Sequence, residues 1–237
     1  MNTLFSLTTK LLSGAFLLLI ACTAEAQTIE KGILRDVSDS SHELAYLDAD
    51  EVFLKVLTQL ELKNSTKGVI LRTAVFGKSR IPEIQVATLP EQNRLFGSSS
   101  ERTKHMRQFL AKAKSDIDYM VSQPTDQRLT NLYRALVHMT SQFDPEAEVK
   151  TVIVFSDLIE ASSIFNATTY ASNPALLIEN YDSIVKTFEQ DMSLPDLSGF
   201  TIHLITPGTS DLHLWMSRFW SKFLASKGAQ VEVRASF

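Results

Sequence analysis

Cysteine is almost missing from this sequence: one residue, Cys22, in 237. It lies in an N-terminal apolar stretch that reads as a leader. The body of the chain therefore has no internal disulfide and no cysteine nucleophile, and its stability must come from packing. Histidine is sparse too. His42, His105, His138, His203 and His213 show no H-x-x-x-H spacing, so no zinc pattern is present. No G-x-S-x-G nucleophile elbow occurs, and Gly97-Ser98-Ser99-Ser100 lacks the lysine of a phosphate-cradling loop. Positive charge is short. Lys and Arg number 23 against 27 Asp and Glu, a formal net charge of -4, with no strong basic block, so nucleic acid is not an expected partner. No internal repeat or low-complexity tract is visible.

What is present begins with the leader. Met1–Lys10 carries one positive charge, and Leu11–Ala21 is an apolar run of signal-peptide length, too short to span a bilayer as a helix. Two processing signals overlap. Leu19-Ile20-Ala21-Cys22 resembles a bacterial lipobox, which would lipidate Cys22 and remove residues 1–21. Ala24-Glu25-Ala26 is an ordinary A-x-A cleavage site, which would remove residues 1–26. Either way an exported domain of about 210 residues is expected, periplasmic or held at the outer membrane by lipid. That length is enough for one α/β domain, here 27–237, with a sizeable core. The composition, 44% hydrophobic and 21% charged, is that of a globular protein.

Hydrophobic periodicity predicts strands at Gly32–Val37, Gly68–Phe76, Ile84–Leu89, Val149–Phe155, Phe200–Thr206 and Gln230–Arg234. Gln27–Lys31 reads as a spacer. The short connection to the third strand makes that strand an antiparallel edge. Val149–Phe155, nearly continuous in apolar residues, reads as central. Helices are expected from Asp48 to about Leu62, over Glu101–Ser122, over Leu129–Phe143, over Pro174–Asp191 and over Ser210–Lys227. Leu158–Asn173 reads as a long, partly aromatic loop. Strands separated by helices imply an α/β fold: a doubly wound, mostly parallel six-stranded sheet with helices on both faces.

Gly32–Ser41 is the stretch around which the rest is organised. Its strand runs out into Asp36-Val37-Ser38-Asp39-Ser40, D-x-S-x-S. Side chains two apart share one side of an extended chain, so Asp36, Ser38 and Ser40 can converge on one point. Three hard oxygen donors suit a small hard cation. Ser156-Asp157 ends the fourth strand, and Thr130 opens a helix just before it. In a doubly wound sheet, ligands bind beyond the carboxyl ends of the strands, so Asp36, Ser38, Ser40, Thr130 and Asp157 are expected at one place.

This pattern resembles a von Willebrand factor A (vWA) domain with its metal-ion-dependent adhesion site (MIDAS). The resemblance rests on the D-x-S-x-S of Asp36, Ser38 and Ser40, on Thr130-Asn131-Leu132, and on Ser156-Asp157, and it extends from about Gly32 to Val233. Four positions depart from the family's pattern: Asp39 and Leu158 stand where glycine is usual, and Arg128-Leu129 replace the glycines before the loop threonine. The resemblance implies Mg2+ (or Mn2+ or Ca2+) held by Asp36, Ser38, Ser40, Thr130 and Asp157. It also implies adhesion without turnover, with a protein partner's acidic residue completing the metal shell. Phe165 and Tyr170, on the loop leaving Asp157, are expected to touch that partner. The membrane is expected to matter only through a lipid on Cys22. Two alternatives stand beside this. One is a metal-free vWA scaffold. The other is a magnesium-dependent phosphatase using Asp36, although Ser38 replaces the second Asp of the D-x-D such enzymes carry.

Overall fold

A computed structural model describes residues 28–38, 47–62, 65–77, 81–93, 97–125 and 129–237. The leader with Cys22, and Ser40 of the D-x-S-x-S stretch, lie outside the described residues. Six strands form one sheet: β1 (Thr28–Asp36), β2 (Gly68–Phe76), β3 (Gln85–Leu89), β4 (Val149–Phe155), β5 (Phe200–Ile205) and β6 (Gln230–Arg234), in the order β3-β2-β1-β4-β5-β6. All pairings are parallel except β2 with β3. The helices are α1 (Ala49–Leu60), α2 (Ser99–Ser122), α3 (Leu132–Thr140), α4 (Leu176–Glu179), α5 (Tyr181–Asp191) and α6 (Asp211–Ser226). Among the described residues no helix is long and apolar enough to cross a membrane.

The central strands are apolar on both faces because both faces are covered. Ile33, Ile153, Phe155 and Ile205 pack with Val52, Val56 and Leu60 of α1 and with Phe109, Ala113 and Ile117 of α2. Their neighbours Leu34, Val152, Val154, Ile202 and Leu204 face the other way, towards α3, α5 and α6. That second core is aromatic: Phe188 stacks on Tyr133 and on Trp220, with centroids 4.6 and 5.6 Å apart. Asp48 starts α1 by accepting hydrogen bonds from the Asp50 and Glu51 amides at 2.8 and 3.0 Å, the capping role expected of an acid there.

Four sequence expectations need correction. β1 starts at Thr28 rather than Gly32, and its charged residues are accommodated one by one. Glu30 pairs with Arg72 at 2.8 Å, and Lys31 donates to Gln59 Oε1 at 2.5 Å. Residues that read as a polar spacer are thus strand residues with partners. α3 starts at Leu132, leaving Thr130 outside it in an isolated bridge with Ala161. The stretch predicted as one helix over 174–191 is two, broken at Asn180. The long loop after β4 contains a 3-10 turn, Ala167–Tyr170, capped by Asn166.

Candidate metal centre

β1 and β4 are neighbours in parallel register, with Arg35 opposite Phe155. Asp36 and Ser156 therefore leave the sheet side by side. The Ser156 hydroxyl donates to Asp36 Oδ2 at 2.7 Å, and the Ser38 amide donates to Asp36 Oδ1 at 2.8 Å. Ser156 Oγ also accepts the Leu158 amide at 2.9 Å. One hydroxyl thus ties the first carboxylate to the turn that carries the second. Asp157 begins that turn. Its Oδ1 accepts the Ile159 amide at 2.8 Å, while its Oδ2 is buried with no hydrogen-bond partner among the described residues.

Leu158 shapes the turn. It has φ of 65°, a conformation that favours glycine, yet its side chain is wholly buried and its carbonyl accepts the Trp220 indole N–H at 2.9 Å. The fold obtains with a leucine, pinned from α6, the bend for which the vWA pattern uses glycine.

Thr130 is brought to the same region by Ala161. Their backbones exchange two hydrogen bonds, each 3.1 Å. Asn131 Nδ2 donates to the Gly77 carbonyl at 3.3 Å, and its Oδ1 is buried without a partner among the described residues. Thr130 and Ser38 are each 2% exposed, as is Asp157.

The sequence reading missed two participants. One is Ser156, whose place in the Ser156-Asp157 pair does not announce that it bonds Asp36 directly. The other is Glu160. It is fully buried three residues past Asp157, and its Oε2 accepts the Tyr133 amide at 3.1 Å. The signal was there: Glu160 is a lone acid within the otherwise apolar run Leu158–Ala161.

The electrostatics are those of acids kept from water. Burial pushes the Asp36 carboxyl up to about 6; the charge of Asp157 adds to the rise, and hydrogen bonds from Ser156 and Ser38 oppose it. Burial pushes Glu160 up to about 8, against hydrogen bonds from Ser162 and the Tyr133 and Leu132 amides. Among the described residues, no ion pair reaches Asp36, Asp157 or Glu160. Nor do any three His, Cys, Asp or Glu side chains there gather closely enough to hold a metal ion.

Phe165 and Tyr170 are half-buried. Phe165 packs against Tyr170 at 5.7 Å and edge-on to Phe188 at 5.5 Å between centroids, so both rings rest on the second core. Leu129, beside Thr130, is the exposed apolar residue of the threonine loop.

The site and sheet define a class: a doubly wound α/β protein with buried acids and hydroxyls at the strand ends where the crossovers from β1 and β4 diverge. More particularly, the strand order with its single antiparallel edge strand is that of a vWA-type fold. No protein-family model matches the chain, and no curated protein sequence matches it significantly. Solved structures similar to it include proximal thread matrix protein 1 from the mussel byssus (15% identity, TM-score 0.45, 89% of this chain and 42% of that one). Another is the ArnB paralog VWA2 from Sulfolobus acidocaldarius (15% identity, TM-score 0.39, 87% and 41%). A third is the manganese-loaded TRAP protein of Plasmodium vivax (14% identity, TM-score 0.41, 88% and 69%). The chain spans less than half of the first two. At these scores the likeness is one of general chain path, and the fold assignment rests on the sheet order.

Proposed function

We propose that this site binds a divalent cation, Mg2+ or alternatively Mn2+ or Ca2+, and through it an acidic residue of a protein partner, without turnover. The observation that carries this reading is the set of buried oxygens at the carboxyl ends of the central strands that no partner among the described residues compensates. Among those residues Asp36 and Asp157 are buried with no ion pair, and Asp157 Oδ2 and Asn131 Oδ1 have no hydrogen-bond partner. Burying a carboxylate unpaired costs several kcal/mol, and such groups are normally satisfied. A bound cation supplies the missing positive charge and a coordination position for a partner's carboxylate. Ser38, Thr130, Asp157 and Ser40 would contribute oxygen donors, with Asp36 direct or through water. Asp36, whose two oxygens are held by Ser38 and Ser156, orders the site; that engagement favours adhesion over a phosphatase nucleophile. The reading includes export, with a lipid anchor on Cys22, and places Phe165 and Tyr170 beneath the partner-facing loop.

The test is a thermal melt of the metal-stripped protein, repeated with Mg2+, Mn2+ or Ca2+, beside Asp36→Ala. A cation at about a hundred times its dissociation constant adds about 2.7 kcal/mol to the parent and nothing to the variant. An unmoved parent would leave a metal-free scaffold. Magnesium-dependent hydrolysis of simple phosphoesters, lost in Asp36→Ala, would establish the phosphatase instead.

A further inference from the structure

The first turn of α3 leaves amides for something to accept, and its own N-cap residue does not accept them: Asn131 makes no side-chain capping bond and reaches back to the end of β2 instead. The acceptor comes from another element. Glu160, on the loop after β4, receives the Tyr133 amide on Oε2, and the Leu132 amide contributes. The next residue, Ala161, pairs with Thr130 in both directions, and the Glu160 carbonyl accepts the Ala167 amide at 2.8 Å. Thr130 is therefore held on two sides by one short segment. Ala161 holds its backbone, and Glu160 holds the helix that follows it.

We infer that Glu160 is a positioning residue of the cation site: it caps α3 from a different strand's loop and so fixes where Thr130 presents its hydroxyl. The inference rests on the cation reading above for its consequence, but not for its geometry. Asp157–Glu160 becomes a four-residue unit that supplies one candidate ligand at its first residue and the anchor for another at its last. A buried carboxyl three residues from Asp157 then has a task other than coordination, consistent with its absence from any metal-sized cluster of acids among the described residues.

The test compares the full chain with Glu160→Gln, which keeps an acceptor oxygen, and Glu160→Met, which keeps the volume without one. Amide hydrogen exchange is read residue by residue without metal, and Mn2+ binding is titrated. Glu160→Met should speed exchange at Thr130, Leu132 and Tyr133 at least tenfold while amides of the β2–β3 ladder keep the parent's rates. It should weaken Mn2+ at least tenfold. Glu160→Gln should return both to within about threefold of the parent. A uniform rise over all amides, or a Glu160→Gln variant as impaired as Glu160→Met, would overturn positioning. So would a parent that binds Mn2+ beside a Glu160→Met variant that binds it equally well. If the local exchange effect is seen and the parent takes no Mn2+, Glu160 still places Thr130 and the cation reading fails. Should Glu160→Met not fold, Thr130→Ala supplies the affinity comparison, and Glu160→Gln must still match the parent's exchange at residues 130–133.

Discussion

Leu158 carries two opposed demands. Its φ of 65° strains any residue with a Cβ, while its side chain fills a fully buried position in the aromatic core. Truncation to alanine keeps the strain and opens a cavity, for a loss of about 2–5 kcal/mol. Glycine opens a slightly larger cavity but releases about 1 kcal/mol of strain. Leu158→Gly should therefore be no less stable than Leu158→Ala, the reverse of the usual ranking, as read from urea denaturation midpoints. Ser156 sits at the other end of this turn. Its hydroxyl donates to Asp36 and accepts from Leu158, so Ser156→Ala strands a buried carboxylate oxygen and a buried amide. A loss of about 1–3 kcal/mol is expected, with a weaker response to Mg2+ than the parent gives.

At the scale of elements, α6 reaches the site through the hydrogen bond from the Trp220 indole to the Leu158 carbonyl. Trp220→Phe keeps most of the packing but leaves that carbonyl buried and unpaired. A loss of about 1–3 kcal/mol is expected in denaturation, with Asp157 less well held and divalent cation affinity reduced in titration. The placement of Asp36 beside Asp157 was legible in the sequence because it follows from chain order: strands separated by helices form a doubly wound sheet, whose usual order sets the first and fourth strands side by side, and the polar residues that end them then meet. The antiparallel β3 was legible from its short connection and flanking prolines. What was hidden depends on contacts across the chain. Glu30 and Lys31 read as a spacer because their partners, Arg72 and Gln59, are remote. Thr130 read as the start of a helix because nothing local announces that Ala161 draws it into a bridge. Glu160 stands out in the sequence as a lone acid, but its task was hidden for the same reason, since its partner amides lie on α3, ahead of β4 in the chain.

Across the whole molecule, two buried acids make stability depend on pH in a direction opposite to that of paired surface carboxylates. Asp36 is raised from 3.8 to about 6 and Glu160 from 4.5 to about 8. The folded state therefore binds more protons than the unfolded chain between about pH 4 and pH 8. Stability from these groups is fully present below their ordinary values and is lost as pH rises through 6 and then 8. His203, pushed down by burial, works in the opposite sense near neutrality, so the comparison must be made against variants. In the metal-free parent, the melting temperature should fall from pH 5 to pH 8. Asp36→Asn should remove the part of the fall centred near pH 6, and Glu160→Gln the part above pH 7. A divalent cation competes with the proton for Asp36, so cation affinity should rise with pH through about 6, and the melting curve at saturating Mg2+ should flatten or reverse there. A metal-free parent that instead gains stability from pH 5 to pH 8, with both variants following it in parallel, would mean that these acids have counter-charges in solution. The site would then have no unmet demand for a cation.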